Sequence, residues 1–361
     1  MKSLLTLTTA IAALAAGAAF AQDKSMTVLS FGGAYGNSQM EAYVKPFIEK
    51  TGINVQMIDA DNPATPLKSQ VEAGNVTVDV ASVEYADAVR LCDEGALEQI
   101  DPAILTPAPD GTAAADDFIE GAITDCFVAS DVYSMVIAYD DNRFPDAKPA
   151  SPQDFFDLAK FPGKRSMRKG AKFNVELALL ADGVPADEVY DTLATPEGVD
   201  RALKKLDTIK DQTVWWEAGA QPPQLLADGE VVMAFAFNGR IFNAATSEGK
   251  AFRIVWDGQI YEMEGWVIPK GAPHPDNARE FIAFATGTEP QAEAATWISY
   301  GPPRRSAGPL VGVFKGDGKT EMQPNLPTSE VNMTNALASN LDFWVDHDSE
   351  LTERFGAWLA N

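Results

Sequence analysis

Histidine is nearly absent from this chain of 361 residues, with only His274 and His347, both in polar, turn-like surroundings. Nucleophilic hydrolysis needs a base within reach of a hydroxyl or thiol, and two isolated histidines give no sign of one. Cysteine is as scarce, at Cys92 and Cys126. Two cysteines and two scattered histidines match no zinc or haem ligand spacing, so neither metal nor other cofactor is expected. Basic residues number 28 against 52 acidic ones, a net charge of −24. Nucleic acid and anionic membrane surfaces are therefore poor partners, whereas a cationic solute would be attracted. The glycine stretch FGGAYG (31–36) lacks both G-x-G-x-x-G spacing and a P-loop lysine, so it is read as a tight turn rather than a phosphate cradle. With these chemistries set aside, an enzyme is not expected.

What is present is an ordinary globular composition, 46% hydrophobic and 22% charged, on a chain long enough for two domains. Residues 1–21 have Lys2, an uncharged apolar middle, and Ala19 and Ala21 around Phe20. That is the layout of a cleaved secretory signal, which predicts a periplasmic protein beginning at Gln22. Cleavage would leave 27 basic against 52 acidic residues, a net of −25. In an exported chain the even pair Cys92 and Cys126 reads as one disulfide.

From residue 26 the pattern alternates. MTVLSF is a strand, GGAYGNS a turn, QMEAYVKPFIEKTG a helix, INVQMID a strand, and further helices and strands follow. This rhythm predicts a parallel sheet flanked by helices. VYSMVIAYD (132–140) is a fully apolar strand, and a second α/β unit begins near 165. FRIVWDGQIYEMEGWVIPKGAP is read as two strands around Asp257-Gly258, and final helices are placed near 329–341 and 349–359. The EGWVIPKGA strand is suited to crossing between domains. Two lobes joined by crossing strands make a hinge, with the binding site in the cleft.

Three features bear on that cleft. VVMAFAFNGRIF (231–242) is read as an apolar strand turning at Asn238-Gly239, with Arg240 just beyond. Aromatic residues gather in the second half, at Trp215, Trp216, Phe237, Trp256, Tyr261, Trp266 and Tyr300; Trp256 and Trp266 are taken as core, and the others as faces for an aliphatic or ammonium group. Five basic residues lie between Lys164 and Lys172, and they are taken as a solvated face.

The segments VLSFGGAYGNSQMEAYVKPFIEKTGI, VDVASVEYADAVRLCDEGALEQID, YSMVIAYD, FNGRIF, GWVIPKGAPHPDNAREFIAFA and ISYGPP together resemble the extracellular solute-binding proteins of the spermidine/putrescine type, which serve ABC importers. The resemblance covers essentially the whole mature chain. It implies a two-lobed α/β fold of the type II periplasmic binding proteins, with mixed sheets, flanking helices and a hinge. The lobes are expected at 22–138 with 267–304 and at 139–266 with 305–361. It further implies a monomer that captures a small amine or amino acid and delivers it to an ABC permease in the inner membrane.

Carried over residue by residue, the family's acidic partner for a ligand amine falls on Glu264, its cleft tyrosine on Tyr300, and its stacking aromatic on Phe237. Ser82 and Glu84 match the first-lobe loop, and Tyr35 and Tyr133, within FGGAY and YSMVIAYD, complete the expected set. Polyamine binders place two further acidic residues where this chain has RKGAKF, and an aromatic-acidic motif where it has FGGAY. The first ligand expectation is a polyamine such as putrescine or spermidine. The alternatives are a zwitterionic ω-amino acid such as γ-aminobutyrate, or an opine-like compound, because a guanidinium repels a diamine but grips a carboxylate, and, against the scarcity of histidine, a secreted enzyme on a similar fold. On the zwitterion reading Arg240 and Glu264 take opposite ends of the ligand.

Overall fold

The computed structural model describes residues 24–361, so the expected signal at 1–21 lies outside the described residues. Nine strands are present among them: β1 (Ser25–Ser30), β2 (Asn54–Asp59), β3 (Val80–Glu84), β4 (Val128–Asp140), β5 (Arg165–Arg168), β6 (Thr213–Trp216), β7 (Met233–Phe237), β8 (Phe252–Val267) and β9 (Leu337–Ala338). They join in one sheet, in the order β2-β1-β3-β8-β4-β7-β5-β6, with β9 beside β8. The sheet is mixed. β1 pairs in parallel with β2 and β3, and β5 with β6 and β7, while β3, β4, β7 and β8 meet antiparallel.

The long strands β4 and β8 run through two separate cores. One is built on Val28, Phe47, Val80, Phe127, Trp266 and Phe281. The other is built on Met135, Phe155, Leu177, Phe235, Ile260 and Trp344. Between them the strands carry Ser130, Asp131, Glu262 and Glu264, all buried. Burying such groups is costly unless they are paired or serve a ligand, and here they interrupt an otherwise apolar seam between the cores. The pairing register aligns them: Glu84 of β3 lies opposite Glu264 of β8, which lies opposite Asp131 of β4, and Glu262 lies opposite Tyr133.

Several local expectations are corrected. GGAYGNS is the helix Gly33–Gln39 rather than a turn, and only Gly32 and Gly33 of that stretch take a positive φ, at 65° and 60°. Those two residues turn the chain sharply enough for a helix to begin directly after β1. Asp257-Gly258 does not separate two strands. β8 is continuous, and the pair is accommodated as a bulge where its register with β4 shifts between Met135 and Ile137. No helix spans 329–341; one helix, Leu341–Ala360, closes the chain.

The disulfide is present as expected, joining Cys92 on the helix Tyr85–Asp93 to Cys126 just before β4. No helix among the described residues is long and apolar enough to cross a membrane.

Candidate functional site

The helix Asn238–Thr246 starts directly after β7, so Arg240 stands in the first turn of a helix and not at a strand end. Asn238 fixes this start. Its side-chain oxygen accepts from the Ser134 amide at 3.0 Å, and its amide nitrogen donates to the Ser299 carbonyl at 2.5 Å. The register of the turn is thereby locked to β4 and to the Ser299 segment, and Arg240 is aimed into a cavity of about 370 Å3 between the two cores.

Phe31, Asp59, Glu84, Arg168, Trp216 and Phe237 line the same cavity. A smaller chamber of about 20 Å3 adjoins it, sharing Phe31, Glu84, Phe237 and Arg240 and lined further by Tyr35, Glu264 and Tyr300. A space of that size suits a water or an ammonium head.

The charges around the cavity separate into those the chain neutralises itself and those it does not. Glu84 receives Arg168 at 3.3 Å and Lys172 at 3.6 Å, and Lys172 also reaches Glu262 at 2.7 Å. Burial would push Glu84 up, but Arg168 and Lys172 outweigh it and hold the carboxyl below its ordinary value. Asp131 accepts from the Tyr35 hydroxyl at 2.8 Å and the Ser130 hydroxyl at 2.8 Å, with no ion pair among the described residues. Burial pushes Asp131 up to about 7, and those two hydrogen bonds only partly offset it.

Glu264 is buried and has no side-chain hydrogen bond or ion pair among the described residues. Its pKa lies well above the ordinary carboxylate value, because of burial first and then its neighbours Asp131 and Glu84. Arg240 is likewise without an ion pair among the described residues, and its Nε is buried with no partner. Arg240 opposes that rise but forms no ion pair with Glu264, so a buried guanidinium nitrogen without a partner and a carboxylate without a hydrogen bond share one chamber, an arrangement that an ammonium and a carboxylate would complete.

Of the expected site residues, Tyr35, Glu84, Phe237, Arg240, Glu264 and Tyr300 come together around the inner chamber. Ser82 and Tyr133 stand one layer behind. The Ser82 hydroxyl lies 3.0 Å from that of Tyr35, and Tyr133 donates to Glu262 at 3.0 Å while its ring meets Phe237 and Tyr300.

The solvated-face reading of residues 164–172 is corrected for three of its members. Arg165 is buried on backbone carbonyls, and Arg168 and Lys172 pair with the cleft carboxylates. Trp266 is core, but Trp256 stays partly exposed, and Trp215 packs on Phe355 and Trp358 instead of facing the cleft. Phe31, Asp59, Asp131 and Glu262 were not singled out from sequence. The polar residues breaking into VASDVYS and YEMEGW were the available signal for the last two.

The family model described as bacterial extracellular solute-binding protein matches residues 42–328. A γ-aminobutyric acid-binding protein of Pseudomonas aeruginosa is 46% identical over 345 residues, covering 96% of this chain and 94% of its own. Among solved structures, the Atu4243-GABA receptor is 34% identical with a TM-score of 0.78, over 93% of this chain and 98% of that one. The periplasmic binding protein MotA of A. tumefaciens B6, in complex with glucopine, is 31% identical with a TM-score of 0.83, over 93% and 99%.

Proposed function

The chain belongs to the bacterial extracellular solute-binding proteins, and from that premise we propose that it captures a zwitterionic ω-amino acid of the γ-aminobutyrate class in its cleft. Arg240, whose buried Nε has no hydrogen-bond partner, and Glu264, which has no ion pair among the described residues, both line one chamber and carry this reading. The ligand ammonium enters the inner chamber beside Glu264, Tyr35 and Tyr300. The aliphatic stem rests on Phe237 and Phe31, and the carboxylate meets the Arg240 guanidinium.

Energetics favour a clamp at both ends. A ligand of about seven heavy atoms bound at micromolar Kd needs about −8 kcal/mol, or about −1.2 per atom against a ceiling of about −1.5. Stem burial alone falls short of that. Of the two ligand classes expected from sequence, the zwitterion is the better supported, since a polyamine would leave Arg240 opposed to a second cation. The relatives' own names point the same way. A larger amino-acid conjugate of the opine type is the second reading, favoured by the outer cavity of about 370 Å3.

In this account residues 1–21 direct export to the periplasm, and the loaded protein, acting as a monomer, hands its ligand to an ABC permease. The change of lobe falls at the polar row, near 130–133 on β4 and 262–265 on β8, inside the strands that the sequence reading divided at 138 and 267. A thermal-shift panel tests the ligand class: γ-aminobutyrate, its one-carbon-shorter and one-carbon-longer homologues, putrescine, spermidine and an opine. Saturating γ-aminobutyrate at about 100 Kd should add about 2.7 kcal/mol of stability. Stabilisation by the polyamines alone would reject the proposal.

A further inference from the structure

We propose that Lys172 and Arg168 determine specificity by filling, with the chain's own cations, a latent subsite for a second ammonium between Glu84 and Glu262. This deepens the reading of the cleft as an ω-amino acid site and rests on it.

The surroundings of the Lys172 ammonium are those of a bound alkylamine. Nζ lies 2.7 Å from Glu262 and 3.6 Å from Glu84, and 5.2 Å from the centre of the Phe173 ring. Glu262 also accepts the Tyr133 hydroxyl at 3.0 Å. Two carboxylates that accept from the ammonium, one of them fixed by the Tyr133 hydroxyl, and an aromatic face make the surroundings a primary ammonium requires. A lysine side chain is a butylammonium, the same fragment as one end of 1,4-diaminobutane. Arg168 completes the neutralisation, with Nη1 3.3 Å from Glu84 and its guanidinium 5.8 Å from the Phe237 ring centre.

The loop that delivers Lys172 is held in place. Phe173, the next residue, has φ 72°, and it is the one non-glycine residue with positive φ among the described residues. Such a conformation persists only where the surroundings enforce it. The Asn174 side chain ties the loop by donating to the carbonyls of Arg168 at 2.6 Å and Gly170 at 2.7 Å. Glu84 lines both the outer cavity and the inner chamber, so one member of the acid pair borders the ligand's path, and Lys172 links it to Glu262 behind. With Glu84 and Glu262 already matched, an incoming ligand finds in the inner chamber the Glu264 carboxylate, with the hydroxyl-bonded Asp131 beside it, and the Arg240 guanidinium. The position between Glu84 and Glu262 is thereby closed to a second ammonium.

The test is calorimetric titration of Lys172→Ala with 1,4-diaminobutane, and the expected result is a gain of roughly a hundredfold over the wild type, the scale of re-pairing a buried carboxylate. n-Butylamine should raise the melting temperature of this variant and not of the wild type. Should the alanine variant fail to fold, Lys172→Met keeps the stem and removes only the charge; it too should gain diamine affinity, through Glu84. Unchanged diamine affinity in a folded variant overturns the proposal. Titrating the wild type with γ-aminobutyrate judges the underlying reading separately: binding there, with no diamine gain in the variants, retires this inference alone.

Discussion

Gly33 and Arg240 face one another across the cleft so closely that a methyl group on Gly33 would lie 2.7 Å from Nη1 of Arg240. On the other side, a methyl group on Gly219 would lie 2.8 Å from Nε. The guanidinium is thus held between two glycines from opposite sides of the site. Gly33→Ala should displace it and also strain a backbone at φ 60°. We expect about tenfold weaker γ-aminobutyrate binding and a loss of roughly 1 to 2 kcal/mol in stability. Calorimetry and denaturant unfolding of the variant check both figures.

Asp131 and Glu264 should make ligand binding pH-dependent. Both carboxyls are raised above their ordinary values by burial, Asp131 to about 7. Between about pH 4 and 7 the free folded protein therefore holds protons that the unfolded chain has released, and its stability should fall as pH rises through that window. A ligand ammonium favours the ionised carboxylates. Binding should accordingly release protons near pH 6, and affinity should rise from pH 5 to pH 7.5. Calorimetry in two buffers of different ionisation enthalpy measures the release; an affinity flat across that range contradicts the assignment.

Phe237 is packed on three sides, with Tyr133 at 5.5 Å, Trp216 at 5.7 Å and the Arg168 guanidinium at 5.8 Å from its ring centre. Phe237→Ala removes the face for the ligand stem and loosens Arg168. Ligand affinity should fall by about 10- to 100-fold, consistent with losing a buried aromatic contact and its packing. Phe237→Tyr, which keeps the ring, should recover most of it.

The Cys92–Cys126 bond closes a separation of 34 residues and ties the helix after β3 to the start of β4. Replacing both cysteines by serine should cost about 3 kcal/mol. Denaturant unfolding of the double variant, set beside the oxidised wild type, provides the comparison.

The sequence showed the architecture more readily than the electrostatics. Strand and helix order were visible because apolar periodicity and glycine stops are local signals, and the disulfide because two cysteines in an exported chain leave one pairing; Glu264, Phe237 and Tyr300 were suggested by the family resemblance. The roles of Arg168 and Lys172 were not, since a run of basic residues looks the same whether it faces solvent or a carboxylate on a strand some 90 residues away; only the fold brings Lys172 to Glu262. The helical start at Asn238 was hidden for a similar reason. Its side chain is satisfied by Ser134 and Ser299, far along the chain, and this overrides the turn that Asn-Gly suggests on its own.

Titration of the wild type and Arg240→Ala with γ-aminobutyrate and putrescine, at one pH and salt concentration, tests the central claim most directly. The wild type should bind γ-aminobutyrate, and the variant should lose about a hundredfold or more, as expected on removing one partner of a desolvated charge pair. Putrescine should bind the wild type weakly and the variant no worse. Tight putrescine binding by the wild type, or γ-aminobutyrate binding that survives loss of the guanidinium, would contradict it.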